Sequence, residues 1–226
     1  MTRQRHAGDD IQLRLMPGDK GPPGNQSRPR QENGNMDASE DRDKPIHTAS
    51  KRHMHALPLE TPHLTLRAFR DKDVDPLFAI QGDREAMQYT HAALSRQECE
   101  QRLRTFAAME STLGFAPWTV VLRTEGQVIG WGGLSIDPFD PGWGIEVSYY
   151  FHPAYWGRGY ATELVRATLQ HGFSTLSLQA IGAFARPQNV ASIRVLEKCG
   201  FTLLGYEPRL ERNRYEIQRS AWRGVA

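Results

Sequence analysis

The sequence predicts one mixed α/β domain behind a polar amino-terminal extension, and two observations carry that prediction. The first is a break in composition. Residues 1–56 of the 226 contain no Phe, Trp or Tyr and are crowded with Gly, Pro, Asn, Asp, Lys and Arg, as in "GDKGPPGNQSRPRQENGN". Such a stretch buries too little apolar surface to offset the entropy of ordering it, so it is expected to be disordered. The second is the alternation, over residues 57–226, of segments with a two-residue apolar period and segments with apolar stripes at helical spacing. That pattern reads as strands interleaved with helices around one core. The extension is expected to be dispensable, or to mark an upstream start ahead of Met54; an arm that recruits a partner is the sharper alternative.

"HLTLRAF" alternates as a strand does, and the Asp-rich start of "DKDVDPLFAIQGD" suits the capping of a short helix. Ser95 and Glu98 match a capping box, and Cys99, Leu103, Phe106 and Met109 form the stripe of the helix that follows. "WTVVLR" and "QVIGWGGLSI" are two strands joined through Thr124, Glu125 and Gly126. "GIEVSYYF" is a fourth strand. It leads into a helix carrying Ala161, Leu164, Val165, Thr168 and Leu169 on one side, which Gly172 is expected to end. "LSLQAIGAFA" follows as a strand, then a helix capped by Asn189 and closed by Gly200, then the strands "FTLLGYE" and "RYEIQRSAW".

A formal net charge of +2 supplies no basic field for nucleic acid. No stretch reaches the ~18 apolar residues of a membrane span, and no apolar signal region opens the chain. Cys99 and Cys199 fall on separate expected helices without metal-ligand spacing, so no metal and a reduced, cytoplasmic setting are expected.

The loop "WGRGYA" joins the fourth strand to its helix. A helix start presents unpaired amides and the positive end of the dipole, which together favour an anion, and Gly157 and Gly159 keep Cβ atoms out of its way. Arg158 adds a positive charge. Two glycines at a bend are equally an ordinary tight turn. The dinucleotide fingerprint is absent, because it would require glycine at Thr162.

"YWGRGYATE", followed after one strand by "NVASIRVLEKCGF", resembles the GNAT acyltransferase superfamily, in particular its RimJ/RimL-type branch of ribosomal-protein N-terminal acetyltransferases. The resemblance runs from about Thr61 to Trp222. It implies the GNAT fold, a twisted and mostly antiparallel sheet with helices on both faces. It also implies that the amides of Trp156, Gly157, Arg158, Gly159, Tyr160 and Ala161 hold the pyrophosphate of acetyl-CoA, with Trp156 at a consensus position where this branch commonly has it. The pantetheine arm would pair with the backbone of Tyr149, Tyr150 and Phe151, whose side chains are read as alternating packing. Asn189 would hydrogen-bond the pantetheine or a water, compatibly with capping its helix.

Many GNAT members place a Tyr general acid where Leu196 stands here. Ser192, one turn earlier, is the replacement, either protonating the leaving thiolate or merely satisfying backbone. Glu146, at the start of the fourth strand, is a candidate general base or else a partner in a surface ion pair with an Arg. The implied activity is acetyl transfer from acetyl-CoA to a primary amine by direct attack, with a protein N-terminus as the favoured acceptor. A small amine, amino acid or antibiotic is the alternative, and a non-catalytic acyl-CoA sensor is the alternative of another class. The loops "GDREAMQYTHAALS" and "YEPRLERNR" are expected at the acceptor entrance, and the protein is expected to be a monomer or homodimer.

Overall fold

The computed structural model describes residues 58–224, so the extension expected over residues 1–56 lies outside the described residues. One sheet of eight strands organises the domain. In chain order they are β1 (Leu59–Glu60), β2 (Leu64–Arg67), β3 (Trp118–Leu122), β4 (Val128–Ser135), β5 (Glu146–Phe151), β6 (Ala180–Ala185), β7 (Thr202–Glu207) and β8 (Arg212–Gln218). The helices are α1 (Val74–Gln81), α2 (Arg96–Ala107), α3 (Met109–Leu113), α4 (Tyr160–Gln170) and α5 (Val190–Lys198).

The spatial order β1-β2-β3-β4-β5-β6-β8-β7 is antiparallel throughout except between β5 and β6. Those two strands run parallel and share one register pair, Glu146 with Gly182, closed by the Gly182 amide donating to the Ile145 carbonyl at 2.9 Å. Along the rest of β5 and β6 no pair forms, and the sheet parts there.

Helices cover both faces, as the side-chain period of two along a strand requires. Neighbouring residues of β5 enter different cores. Tyr150 packs with Trp131, Leu77, Ile80 and Leu103 beneath α1 and α2, whereas Phe151 packs with Ile129, Val120 and Leu164 beneath α4. A third cluster, around Val165, Leu169, Phe173, Ile181, Leu196 and Tyr215, fills the space under α4 and α5. Gly132 lets β5 lie close to β4, because a Cβ there would stand 2.5 Å from the Tyr149 Cβ and 2.6 Å from the Ser148 carbonyl.

Buried Asp73 ties three elements together. It accepts two hydrogen bonds from the Arg67 guanidinium at 2.6 and 2.7 Å, one from the Arg70 amide at 2.9 Å and one from Thr119 Oγ1 at 3.1 Å. Burial alone would raise this carboxyl; those four donors and the Arg67 charge together hold it below its ordinary range. The Asp73 side chain therefore serves β2 and β3 rather than capping α1.

Several boundaries differ from the sequence expectation. Ser95 Oγ accepts from the Glu98 amide at 3.1 Å as a capping box demands, but the Glu98 carboxylate takes the Leu94 amide at 2.8 Å and His91 Nε2 at 2.6 Å instead of closing the box on Ser95. Gly172 does not end its helix. The chain passes through a π turn over His171–Thr175, where a Cβ on Gly172 would press to 2.7 Å from Ile181 Cδ1. β6 consequently begins at Ala180, not at Leu176. Among the described residues no helix is long and apolar enough to cross a membrane.

Candidate active site

The parting of β5 and β6 opens a cavity of about 790 Å³, walled by β5, the loop into α4, the start of α5 and the segment between α1 and α2. The loop has the left-handed geometry that demands glycine: Gly157 has φ +72° and Gly159, the residue before α4, has φ +87°. A Cβ on either would meet nothing within 4 Å, so backbone conformation and open approach, not crowding, fix glycine here. Among the described residues no acceptor is found for the amides of residues 157–162. Together with the helix dipole, this run of unpaired donors forms an anion cradle.

The expectation for Trp156 needs correction. Its amide already donates to the Pro153 carbonyl at 3.0 Å, so the cradle begins at Gly157. Its indole Nε1 donates to the Phe151 carbonyl at 2.9 Å and pins the loop to the end of β5. The Arg158 amide stays within the cradle, but its side chain does not line the cavity, and its guanidinium lies 5.4 Å from the Tyr155 ring centroid. Trp156, Gly157, Gly159, Tyr160 and Ala161 all line the cavity, as do Tyr149, Tyr150 and Phe151.

Asn189 Oδ1 accepts from the Ser192 amide at 3.1 Å and so caps α5 while bordering the cavity. This cap holds Ser192 at the cavity wall, with its Oγ 2.9 Å from the Tyr149 hydroxyl. The sequence reading treated the Tyr149 side chain as packing; the structure makes it the hydrogen-bond partner of Ser192. Burial pushes the Tyr149 phenol up to about 12, against the opposing effect of the Ser192 bond, so it stays protonated at neutral pH. Leu196 is buried in the core.

Glu146 stands where the last β5–β6 pair forms, facing the cavity and only partly exposed. Burial first, and then the Asp137 charge, raise its carboxyl to about 7, while Arg212 opposes them. A carboxyl with that value near neutrality has the balance of states that acid–base chemistry uses. Among the described residues Glu146 makes no ion pair within 4.0 Å, and Arg212 acts on it only as a nearby charge.

Other expectations divide. The segment after α1 lines the cavity through Met87, Gln88, Tyr89 and His91, but of "YEPRLERNR" only Arg212 reaches it. Trp131 is a wall residue, and Trp143 packs edge-on against Phe184 and donates to Asp140. His152 serves its turn, accepting the Ala154 amide. Burial raises both cysteine thiols, Cys99 to about 11, so neither is poised as a nucleophile.

A sheet parted beside an amide-lined helix start, with a near-neutral carboxyl at the fork, is the arrangement that the resemblance to CoA-dependent N-acyltransferases implies. Comparison with known proteins agrees: the acetyltransferase (GNAT) domain matches residues 63–202, and the chain belongs to that family. The uncharacterized N-acetyltransferase YoaA of Bacillus subtilis (strain 168) is 32% identical over 146 residues, covering 63% of this chain and 81% of that protein. Ribosomal-protein-S5-alanine acetyltransferase from Vibrio fischeri superposes with a TM-score of 0.60 at 21% identity, over 74% of this chain and 100% of that one. Spermidine N-acetyltransferase from Vibrio cholerae, solved with CoA and spermine, gives 0.57 at 22% identity, over 70% of this chain and 96% of that one. At these identities the two solved structures speak for the fold.

Proposed function

We propose that the protein acetylates the α-amino group of a polypeptide N-terminus by direct attack on acetyl-CoA, in the manner of the RimJ/RimL-type branch. The observation that carries this reading is Glu146, held near pKa 7 at the fork of the sheet. An α-ammonium has pKa near ~7.7–8.0, so its proton passes to a base of about 7 at a cost near 1 kcal/mol; a lysine-like amine near ~10.4 costs about 4–5 kcal/mol at 1.36 kcal/mol per unit. That difference favours the weaker base as acceptor.

The residues present fit acetyl-CoA. The unpaired amides of residues 157–162 suit a pyrophosphate, and the unpaired edge of β5 beyond Glu146 suits the amides of a pantetheine arm. Acetyl-CoA, when bound there, supplies the acetyl group as a reactive thioester. Glu146 takes the proton of the attacking amine, directly or through water. Ser192 Oγ donates to the leaving sulfur, and the Tyr149 hydroxyl, 2.9 Å away, orients that serine. With both cysteine thiols raised, the chemistry favoured is one step without an acyl-enzyme.

The test is mass-spectrometric detection of acetylated product from acetyl-CoA with N-terminal peptides, free amino acids, polyamines and aminoglycosides. Acetylation confined to α-amino groups is the expected result. Acetylation of polyamines or aminoglycosides in preference would overturn the acceptor assignment, and acetyl-CoA binding without product from any amine would establish a sensor instead.

A further inference from the structure

The acceptor side of the cavity holds polar groups that this chemistry leaves unused. Arg102 on α2 lines it, is partly buried, and has no hydrogen-bond or ion-pair partner among the described residues; its guanidinium lies 4.2 Å from the Phe139 ring centroid. From Phe139 a run of rings leads inward: Phe106 at 6.2 Å, Trp131 at a further 5.0 Å, then Tyr150 stacked on Trp131 at 5.2 Å and 15°. Stacking occupies a face of the guanidinium and leaves its in-plane N–H groups available.

Tyr150, which also lines the cavity, feels the Arg102 charge. Its hydroxyl is hydrogen-bonded to the Gln81 side-chain amide, whose other polar end is buried. An unpaired guanidinium and the Tyr150 phenol therefore border the same space.

The sign of the whole cavity agrees. Five basic side chains line it, Arg102, Arg186, Arg194, Lys198 and Arg212, against two carboxylates, Asp137 and Glu146. Arg194 and Lys198 lie on α5 beyond Asn189, with the proposed CoA contacts, and Arg186 is paired with Glu211 at 3.0 Å. Arg102 instead lies on α2, an element to which none of the proposed CoA contacts belongs. A polycation would find two acids and an unpaired guanidinium there. A zwitterion would set its ammonium toward Glu146 and Asp137 and its anion toward Arg102.

We infer that the acceptor carries a carboxylate near its reacting amine, and that Arg102 and Tyr150 bind that carboxylate. The inference rests on the acetyltransferase reading and narrows it. The carboxylate has two sources, an acidic side chain at the start of a peptide or the α-carboxylate of a free amino acid, and both present the same chemistry. A charge-assisted pair of this kind discriminates by about tenfold or more against an acceptor that leaves the guanidinium unpaired.

The experiment measures kcat/KM on the purified full chain for two matched pairs, a Glu-first against a Gln-first peptide and free glutamate against glutamate α-amide, with spermidine as a third arm. Wild type, Arg102→Gln, Arg102→Lys and Tyr150→Phe are compared, and acetyl-CoA affinity is read by calorimetry. A preference of about tenfold or more for the acidic member in either pair, brought toward one by Arg102→Gln and partly kept by Arg102→Lys, is expected; the pair that shows it names the source. Equal rates on acidic and neutral members, equal losses on both in Arg102→Gln, or a preference for spermidine would overturn the inference. Turnover without acid preference leaves the acetyltransferase reading standing, whereas acetyl-CoA binding without turnover on any amine removes both.

Discussion

Replacing Glu146 by Gln separates what this side chain costs the fold from what it does for the reaction. Burial, reinforced by Asp137 and opposed by Arg212, raises the carboxyl from 4.5 to about 7. The folded protein therefore binds this proton more tightly than the unfolded chain does. The stabilisation that results is complete below about pH 4.5 and is lost as the pH rises through about 7. Above that, the charged carboxylate disfavours the fold by roughly 3 kcal/mol, at 1.36 kcal/mol per unit. Gln has nearly the same shape and no charge to desolvate. Glu146→Gln should thus melt on the order of 5–10 °C above wild type at about pH 8.5, with the gap closing toward pH 5, since 1 kcal/mol moves Tm by ~2–4 °C in a domain of this size. Thermal melts followed by circular dichroism across that pH range read the gap directly. A gap that does not change with pH, or a variant less stable than wild type at pH 8.5, would refute the argument from burial.

Four further substitutions probe the other parts of the account. Ser192→Ala and Tyr149→Phe should each lower kcat about tenfold or more with little change in acetyl-CoA affinity, and the double variant should be scarcely worse than either single one, because the two hydroxyls act through one 2.9 Å contact; additive losses in initial-rate assays would break the pairing. Gly159→Ala forces a side chain into φ +87°, which costs about 1–2 kcal/mol; calorimetry should show weakened acetyl-CoA binding as the cradle shifts, and unchanged affinity would show that the loop tolerates it. Asp73→Asn leaves the Arg67 guanidinium buried without its carboxylate and should destabilise the domain by about 3–5 kcal/mol in urea titrations. Because the Asp73 carboxyl is held below 3.8, the wild-type advantage should persist at neutral pH and fade only in acid below that value.

What could be read from the sequence was whatever neighbours in sequence decide. Strand alternation, the Ser95 and Asn189 caps, the left-handed Gly200 and the strand–glycine–helix passage at Gly157 and Gly159 all depend on residues within one turn of each other. The relationships missed join distant positions. Tyr149 meets Ser192 across 43 residues, Gln81 meets Tyr150 across 69, and Thr119 reaches Asp73 across 46, and each exists only once register and helix docking are set. The π turn at His171–Thr175 was equally hidden, because it arises from fitting Gly172 against Ile181 on a strand not yet formed. Trp156 was read as a loop residue with a free amide; its indole bond to Phe151 depends on the loop folding back along β5, which a linear motif does not encode. Glu146 was found for its place at the strand start, yet its raised pKa comes from Asp137 and enclosure, both tertiary.

The most direct test of the central claim is the initial rate of thiol release from acetyl-CoA with an α-amino peptide as acceptor, for wild type and Glu146→Gln side by side, each with its acetyl-CoA affinity measured by calorimetry. The account predicts that both proteins bind acetyl-CoA, that wild type releases thiol only when the peptide is present, and that the variant is slower by about a hundredfold or more. Peptide-dependent release at the wild-type rate from Glu146→Gln, or acetyl-CoA binding by wild type with no release on any α-amine, would contradict it.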